Sequence, residues 1–202
     1  HYPSVSYGME GATKEQADFM RQIGIAAIGA LFLIYGLIAI PTKSYVQPLV
    51  IMSVIPFGII GAIVGHWLLG KTINMMSIYG FIALTGVLVN DSLILVDFIN
   101  KAKDKGKEMI DVVAQAATQR FRAIVLTSLT TFFGIFPLYF EGSLQAQFII
   151  PMAISLGFGI AFATVITLFL IPSLYLIKED IFNLFRANTH KTINYQEGNP
   201  KI

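Results

Sequence analysis

The sequence predicts an all-α integral membrane domain: a five-helix transmembrane bundle with a short β-strand remnant at its N-terminus. Three observations carry this. Of 202 residues, 55% are hydrophobic and 13% charged, about half the charge of an ordinary soluble domain, and mean hydropathy is +0.69. Five apolar runs each reach or exceed the roughly 17–25 residues that cross about 30 Å of hydrocarbon as a helix. The charged residues gather between these runs.

In chain order, residues 1–18 read as soluble. Tyr2-Pro-Ser-Val-Ser-Tyr7 alternates like a strand, and a helix start follows at Lys14-Glu15. One strand does not stand alone, so its partner is expected elsewhere. The polar start lacks the basic-then-apolar pattern of a signal peptide. It also lacks an initiator Met, so the chain is expected to begin inside a longer reading frame. The transmembrane domain, 19–178, holds spans at about 19–40, 46–69, 77–99, 123–140 and 148–177. The first stops at Pro41; the second carries Pro48 and Pro56. An amphipathic stretch at about 107–119, with Met109, Ile110, Val112, Val113, Ala116 and Ala117, reads as a helix lying in the interface; an ordinary solvated linker helix is the alternative. The tail, 179–202, is expected to be cytoplasmic and to lose order beyond Asn188.

Lysines and arginines set the orientation. With the C-terminus inside, eleven fall in cytoplasmic segments and three outside, namely Lys14, Arg21 and Lys71. The positive-inside rule then places the N-terminus on the outer side.

The third run holds Asn90 and Asp91 near its middle. A carboxylate at that depth costs about 2.5–3.5 kcal/mol on insertion scales, so it needs a partner or a wet cavity and is a functional-site candidate. Asn90 shares a helix face with Tyr79, Ala83, Gly86 and Asp97. Asp91 is turned about 100° from it. Asp91 is either a protonated acid held between helices or a group that exchanges its proton. Asp97 either joins that face or reaches headgroups. On the fourth run Arg120, Thr127, Thr131 and Gly134 form one stripe. It is a polar seam, unless the hydroxyls bond back to their own helix. Runs three and four are expected to be neighbours, since both stripes are costly against lipid. Gly58, Gly61, Gly65 and Gly86 are candidates for close helix packing, with Gly61 and Gly65 spaced GxxxG. His66, beside Trp67, reads as interfacial.

Other chemistries find no support. There is no cysteine, hence no disulfide framework or thiolate. No metal-ligand cluster, nucleotide loop or nucleophile triad is present, so no cofactor, metal or enzymatic activity is expected. The basic link is too short and too mixed in sign for nucleic acid.

Gln47-Pro-Leu-Val-Ile-Met-Ser-Val-Ile-Pro-Phe-Gly-Ile-Ile-Gly61, Gly86-Val-Leu-Val-Asn-Asp-Ser-Leu-Ile-Leu-Val-Asp-Phe98 and Arg120-Phe-Arg-Ala-Ile-Val-Leu-Thr-Ser-Leu-Thr130 stand in order. Together they resemble the ninth, tenth and eleventh helices of the resistance–nodulation–division (RND) permeases, the drug/proton antiporters of Gram-negative envelopes. The likeness runs from about Tyr2 to Lys178 and makes the chain similar to helices eight to twelve, with residues 1–18 resembling the end of the periplasmic porter region. It implies a proton-motive-force-driven exporter of small amphipathic compounds or drugs in the bacterial inner membrane, multi-pass, with a periplasmic N-terminus. It also implies multidrug resistance, the rest of the permease (seven helices and the porter region), a homotrimer, a periplasmic adaptor, an outer-membrane channel and the lipid bilayer as partners. In that family two acidic residues on the fourth helix face a lysine on the tenth and an arginine and a threonine on the eleventh. By position Arg120 and Thr127 match the last two. The lysine position is Asn90, which carries no charge, and Asp91 is placed to substitute a carboxylate relay. The alternatives are a protein- or lipid-export subunit of the same superfamily, a structural fragment without transport, and an ion channel.

Overall fold

The computed structural model describes residues 11–103 and 108–197, and the side chains of 11, 14–103 and 108–182. The expected strand at residues 2–7 lies outside the described residues. Six α-helices follow in order: α1 (Ala12–Thr42), α2 (Gln47–Met52), α3 (Ile55–Leu68), α4 (Met75–Lys103), α5 (Met109–Ile135) and α6 (Leu144–Glu197), with a 3₁₀ turn at Phe136–Phe140 after α5. They form five membrane-spanning units: Lys14–Thr42, Gln47–Leu68, Met75–Lys103, Met109–Phe140 and Leu144–Phe182. The short connections bring the ends of α1 and α4 and the starts of α2 and α5 to one end of the bundle, the Lys43 end. The other end carries His66.

Local chemistry explains the breaks. Pro56 has no N–H to donate to the carbonyl of Met52, and its ring collides with that carbonyl in a continuous helix. The second span therefore splits into α2 and α3, with Pro56 in the first turn of α3. Lys43 ends α1 in the left-handed region at φ 47. Asn74 opens α4: its side-chain oxygen accepts from the Met76 and Ser77 backbone N–H groups at 3.0 and 3.2 Å, while Ser77 Oγ accepts from Asn74 N at 3.2 Å. These are orphan donors of a first turn, satisfied reciprocally.

Two helices depart from the sequence reading. The stretch read as an interfacial helix is the first part of α5, continuous with the fourth span. Val112, Val113 and Ala116 are buried in the protein core. No Gly or Pro interrupts residues 109–133, and protein covers this part of the stripe, while Ile110 stays exposed. α6 continues past Ile177 to Glu197, because nothing between Pro172 and Glu197 breaks a helix.

α6 is the spine, packed against α2, α3, α4 and α5. The core runs from Ile51 and Val54 through Leu84, Leu88, Leu95 and Ile99 of α4 to Ile160, Ala163, Ile171 and Tyr175 of α6. Close approach depends on missing side chains. A Cβ at Gly61 would strike Phe162, one at Gly65 would strike Phe158, and one at Gly58 would strike Leu88. Gly86 differs: a Cβ there meets nothing within 4 Å. α1 stands at the rim, with Ile25, Phe32, Leu37 and Ile40 exposed, as suits a helix facing hydrocarbon or another part of a larger bundle.

Candidate functional site in the α4 and α5 helices

The α4 face predicted from spacing is open. Tyr79, Ala83, Gly86, Asn90 and Asp97 are all exposed on the surface of the described residues. The opposite face, with Gly80, Leu84, Leu88 and Leu95, is buried. Asp91 sits between the two and is half-buried. Among the described residues it makes no hydrogen bond or ion pair. Ser92, the next residue, is fully buried, and its hydroxyl also lacks a partner there. Asp97 pairs with Lys101 one turn on, at 2.6 Å, with both side chains more than half exposed. Such a pair contributes well under about 1 kcal/mol.

α5 packs directly against α4. The Arg120 guanidinium lies 4.7 Å from the centre of the Phe98 ring, a cation–π contact, and its Nε is buried without a hydrogen-bond acceptor among the described residues. The threonines bond to their own helix. Thr127 Oγ1 donates to Ala123 O and Thr131 Oγ1 to Thr127 O, both at 2.9 Å. Thr127 and Asn90 are both exposed, and no hydrogen bond joins them. The structure thus brings Arg120 to α4 and leaves Asn90, Asp91 and Thr127 without partners on a neighbouring helix. Arg120 and the Asp91 carboxyl thus stand on adjacent helices, neither in an ion pair among the described residues.

Other polar contacts lock the bundle. One is the neighbour of a predicted residue: Ser128, not Thr127, faces α6, with its Oγ 2.6 Å from Thr164 Oγ1. At the Lys43 end the Gln47 and Asn100 amides bond reciprocally at 3.0 Å, and Tyr175 OH donates to Asn100 Oδ1 at 2.7 Å. α2, α4 and α6 are tied there. The sequence carried a faint signal for this knot, since all three residues fall near the same boundary of their spans. Asn100→Leu leaves the Gln47 amide and the Tyr175 hydroxyl unsatisfied and is expected to destabilise by about 1–3 kcal/mol. A double-mutant cycle with Gln47→Leu, read by unfolding in detergent, is expected to show coupling between the two sites.

His66 is corrected. It is 2% exposed while Trp67 is 79% exposed. Its Nδ1–H donates to Ala62 O at 2.9 Å, and its Nε2 lies 2.9 Å from Ser77 Oγ. A ring with a partner at each nitrogen can be buried without penalty, which adjacency to Trp67 in the sequence did not reveal.

Residues 2–179 match the model of the AcrB/AcrD/AcrF family. The chain is 28% identical over 183 residues to the swarming motility protein SwrC of Bacillus subtilis (strain 168), an alignment covering 87% of this chain and 17% of SwrC. It is 30% identical over 171 residues to the multidrug resistance protein MdtC of Pantoea ananatis (strain AJ13355), covering 84% and 16%. A crystal structure of a heavy metal efflux pump, crystal form II, matches at TM-score 0.76 and 26% identity over 88% of this chain and 18% of that one. The chain spans under a fifth of the length of these relatives.

Proposed function

This chain belongs to the AcrB/AcrD/AcrF family of RND efflux permeases, and from that premise we propose that it forms the last five membrane helices of a proton-driven exporter of small amphipathic compounds. Multi-pass membrane character follows from the five apolar spans. Export of drug-like compounds is supported by the likeness to a multidrug resistance protein. In this reading the protein sits in the bacterial inner membrane as a trimer, with a periplasmic adaptor and an outer-membrane channel as partners.

One observation carries the relay: Asp91, mid-span, has no partner among the described residues and borders an open stripe of small and polar residues. A bilayer does not tolerate such a face for free. Ala83 and Gly86 leave room for a helix to approach closely, and Asn90 offers that helix hydrogen bonds. In the proposal this helix lies outside the present chain and completes a proton site with Asp91, while Arg120 holds the positive charge nearby. Asn90 orients the carboxyl. Thr127 serves the relay once its hydroxyl turns from Ala123 O.

The test is reconstitution of the full-length protein into proteoliposomes. An imposed pH gradient is expected to drive uptake of an amphipathic dye, and dissipating the gradient is expected to stop it. Transport that is indifferent to the gradient overturns the proton-driven reading.

Orientation is tested separately. These 202 residues hold no cysteine, so single cysteines are placed here in a full-length protein with any other cysteines replaced by serine. Ser143→Cys is expected to react with an impermeant thiol reagent in intact spheroplasts, and Lys101→Cys only after lysis. The reverse pattern rejects a cytoplasmic Lys43 end.

A further inference from the structure

The Lys43 end holds a second polar site, away from the α4 face. A cavity of about 470 Å³ opens there between the α1–α2 link, the end of α4 and α6. Lys43, Lys103 and Lys178 surround it, with Glu179 as its carboxylate. Glu179 is largely buried, its side chain 9% exposed. Its two oxygens are taken by Lys103 Nζ at 2.7 Å and Lys178 Nζ at 2.8 Å. One negative charge therefore serves two ammonium groups. Lys178 is further fixed by lying 4.6 Å from the centre of the Tyr175 ring. Lys43 forms no ion pair among the described residues, and its left-handed backbone sets it at the turn. Positive charge is in excess around the cavity by two.

The rest of the wall is mixed: Thr42, Ser44 and Gln47 add uncharged polar groups, and the other three residues are apolar. These are Val46, Ile181 and Phe182, and all three are exposed. The cavity also lies at a definite depth, where the first and third spans end and the second begins. That is the level of lipid headgroups. Excess positive charge, hydroxyl and amide groups beside it, an apolar patch of three residues and a headgroup depth fit an amphiphile with an anionic head.

We propose that this cavity binds the phosphate headgroup of an anionic phospholipid, with Lys43, Lys103 and Lys178 facing the phosphate and Val46, Ile181 and Phe182 contacting the first acyl segments. Basic pockets between membrane helices suit such headgroups, and each lysine near the surface contributes about fivefold in affinity. The proposal does not rest on the export reading, since it concerns neither Asp91 nor the α4 stripe.

Native mass spectrometry of the full-length protein, released from nanodiscs of equal phosphatidylglycerol and phosphatidylcholine, tests it. The protein is expected to retain phosphatidylglycerol in preference to phosphatidylcholine. Lys43→Asn removes a charge, breaks no ion pair and keeps a residue at home in the left-handed region. It is expected to cut the preference about fivefold. Lys71→Asn, at the opposite end of the bundle, is expected to leave it unchanged. Equal retention of the two lipids overturns the proposal, as does an equal effect of the two substitutions. Inorganic phosphate, titrated into protein in neutral detergent, separates the sources. If it binds as tightly as phosphatidylglycerol and loses affinity with Lys43→Asn, the site is one for free phosphate and the lipid assignment fails.

Discussion

Asp91→Asn in the full-length protein is expected to abolish proton-coupled export while leaving insertion and assembly intact. Asparagine keeps the shape of the side chain and removes the exchangeable proton. The change is mild for folding, because Asp91 makes no hydrogen bond or ion pair among the described residues that asparagine would break. Neutralising a mid-membrane carboxylate even relieves a cost of insertion. Loss of transport with undiminished expression therefore separates a chemical role from a structural one. Asn90→Ala is expected to weaken export less, because an exposed amide that orients a carboxyl is more dispensable than the carboxyl. Dye efflux driven by a pH gradient, with membrane-fraction protein measured alongside, reads both. Near-normal efflux in Asp91→Asn rejects the proton role. The proton path would then have to use other groups together with Arg120 and Thr127.

Gly61→Leu is expected to have the largest effect on stability. A Cβ at Gly61 would meet the Phe162 Cβ and lie 3.0 Å from the Phe158 carbonyl oxygen. The first is the stem of a side chain and the second is backbone, so neither can swing aside. α3 must then move away from α6, the helix on which the bundle is assembled. Overpacking of this kind costs about 1–3 kcal/mol, and more when backbone is displaced. In a bilayer there is no hydrophobic force to hold helices together once packing is lost. Thermal unfolding in detergent is expected to show a lowered midpoint for Gly61→Ala and a severe loss for Gly61→Leu. Gly86→Ala serves as the contrast. The space around Gly86 is open, so the substitution is expected to be neutral in this part of the fold. If a further helix docks on the α4 stripe, Gly86→Ala is expected to reduce export while leaving the stability of these five helices unchanged.

Much of the architecture was legible because hydrocarbon thickness imposes a length. Five runs of sufficient length give five spans, whatever packs against them. Helical spacing likewise put Asn90 on a face with Gly86, Ala83 and Tyr79, because the 3.6-residue period is a property of the backbone. Motif order identified the family, which the comparisons show.

Periodicity says which residues share a face, not what that face meets. The stretch at 107–119 has the same amphipathic pattern whether its stripe lies on lipid or on protein, and only packing buried Val112, Val113 and Ala116. Thr127 and Ser128 are adjacent hydroxyls of similar character; the rotation of α5 against α6 chose Ser128 for the contact with Thr164. His66 acquired its place from Ser77, eleven residues on and across a turn. The same limit governs the site. By itself the sequence determined five spans, a mid-membrane carboxyl and the face it borders. Tertiary structure decided that no other described helix covers the Asn90 face, that Arg120 rests on Phe98 and that Gln47, Asn100 and Tyr175 form one knot. Those outcomes depend on the relative rotation and depth of helices far apart in the chain, which many weak contacts set together and no local pattern encodes.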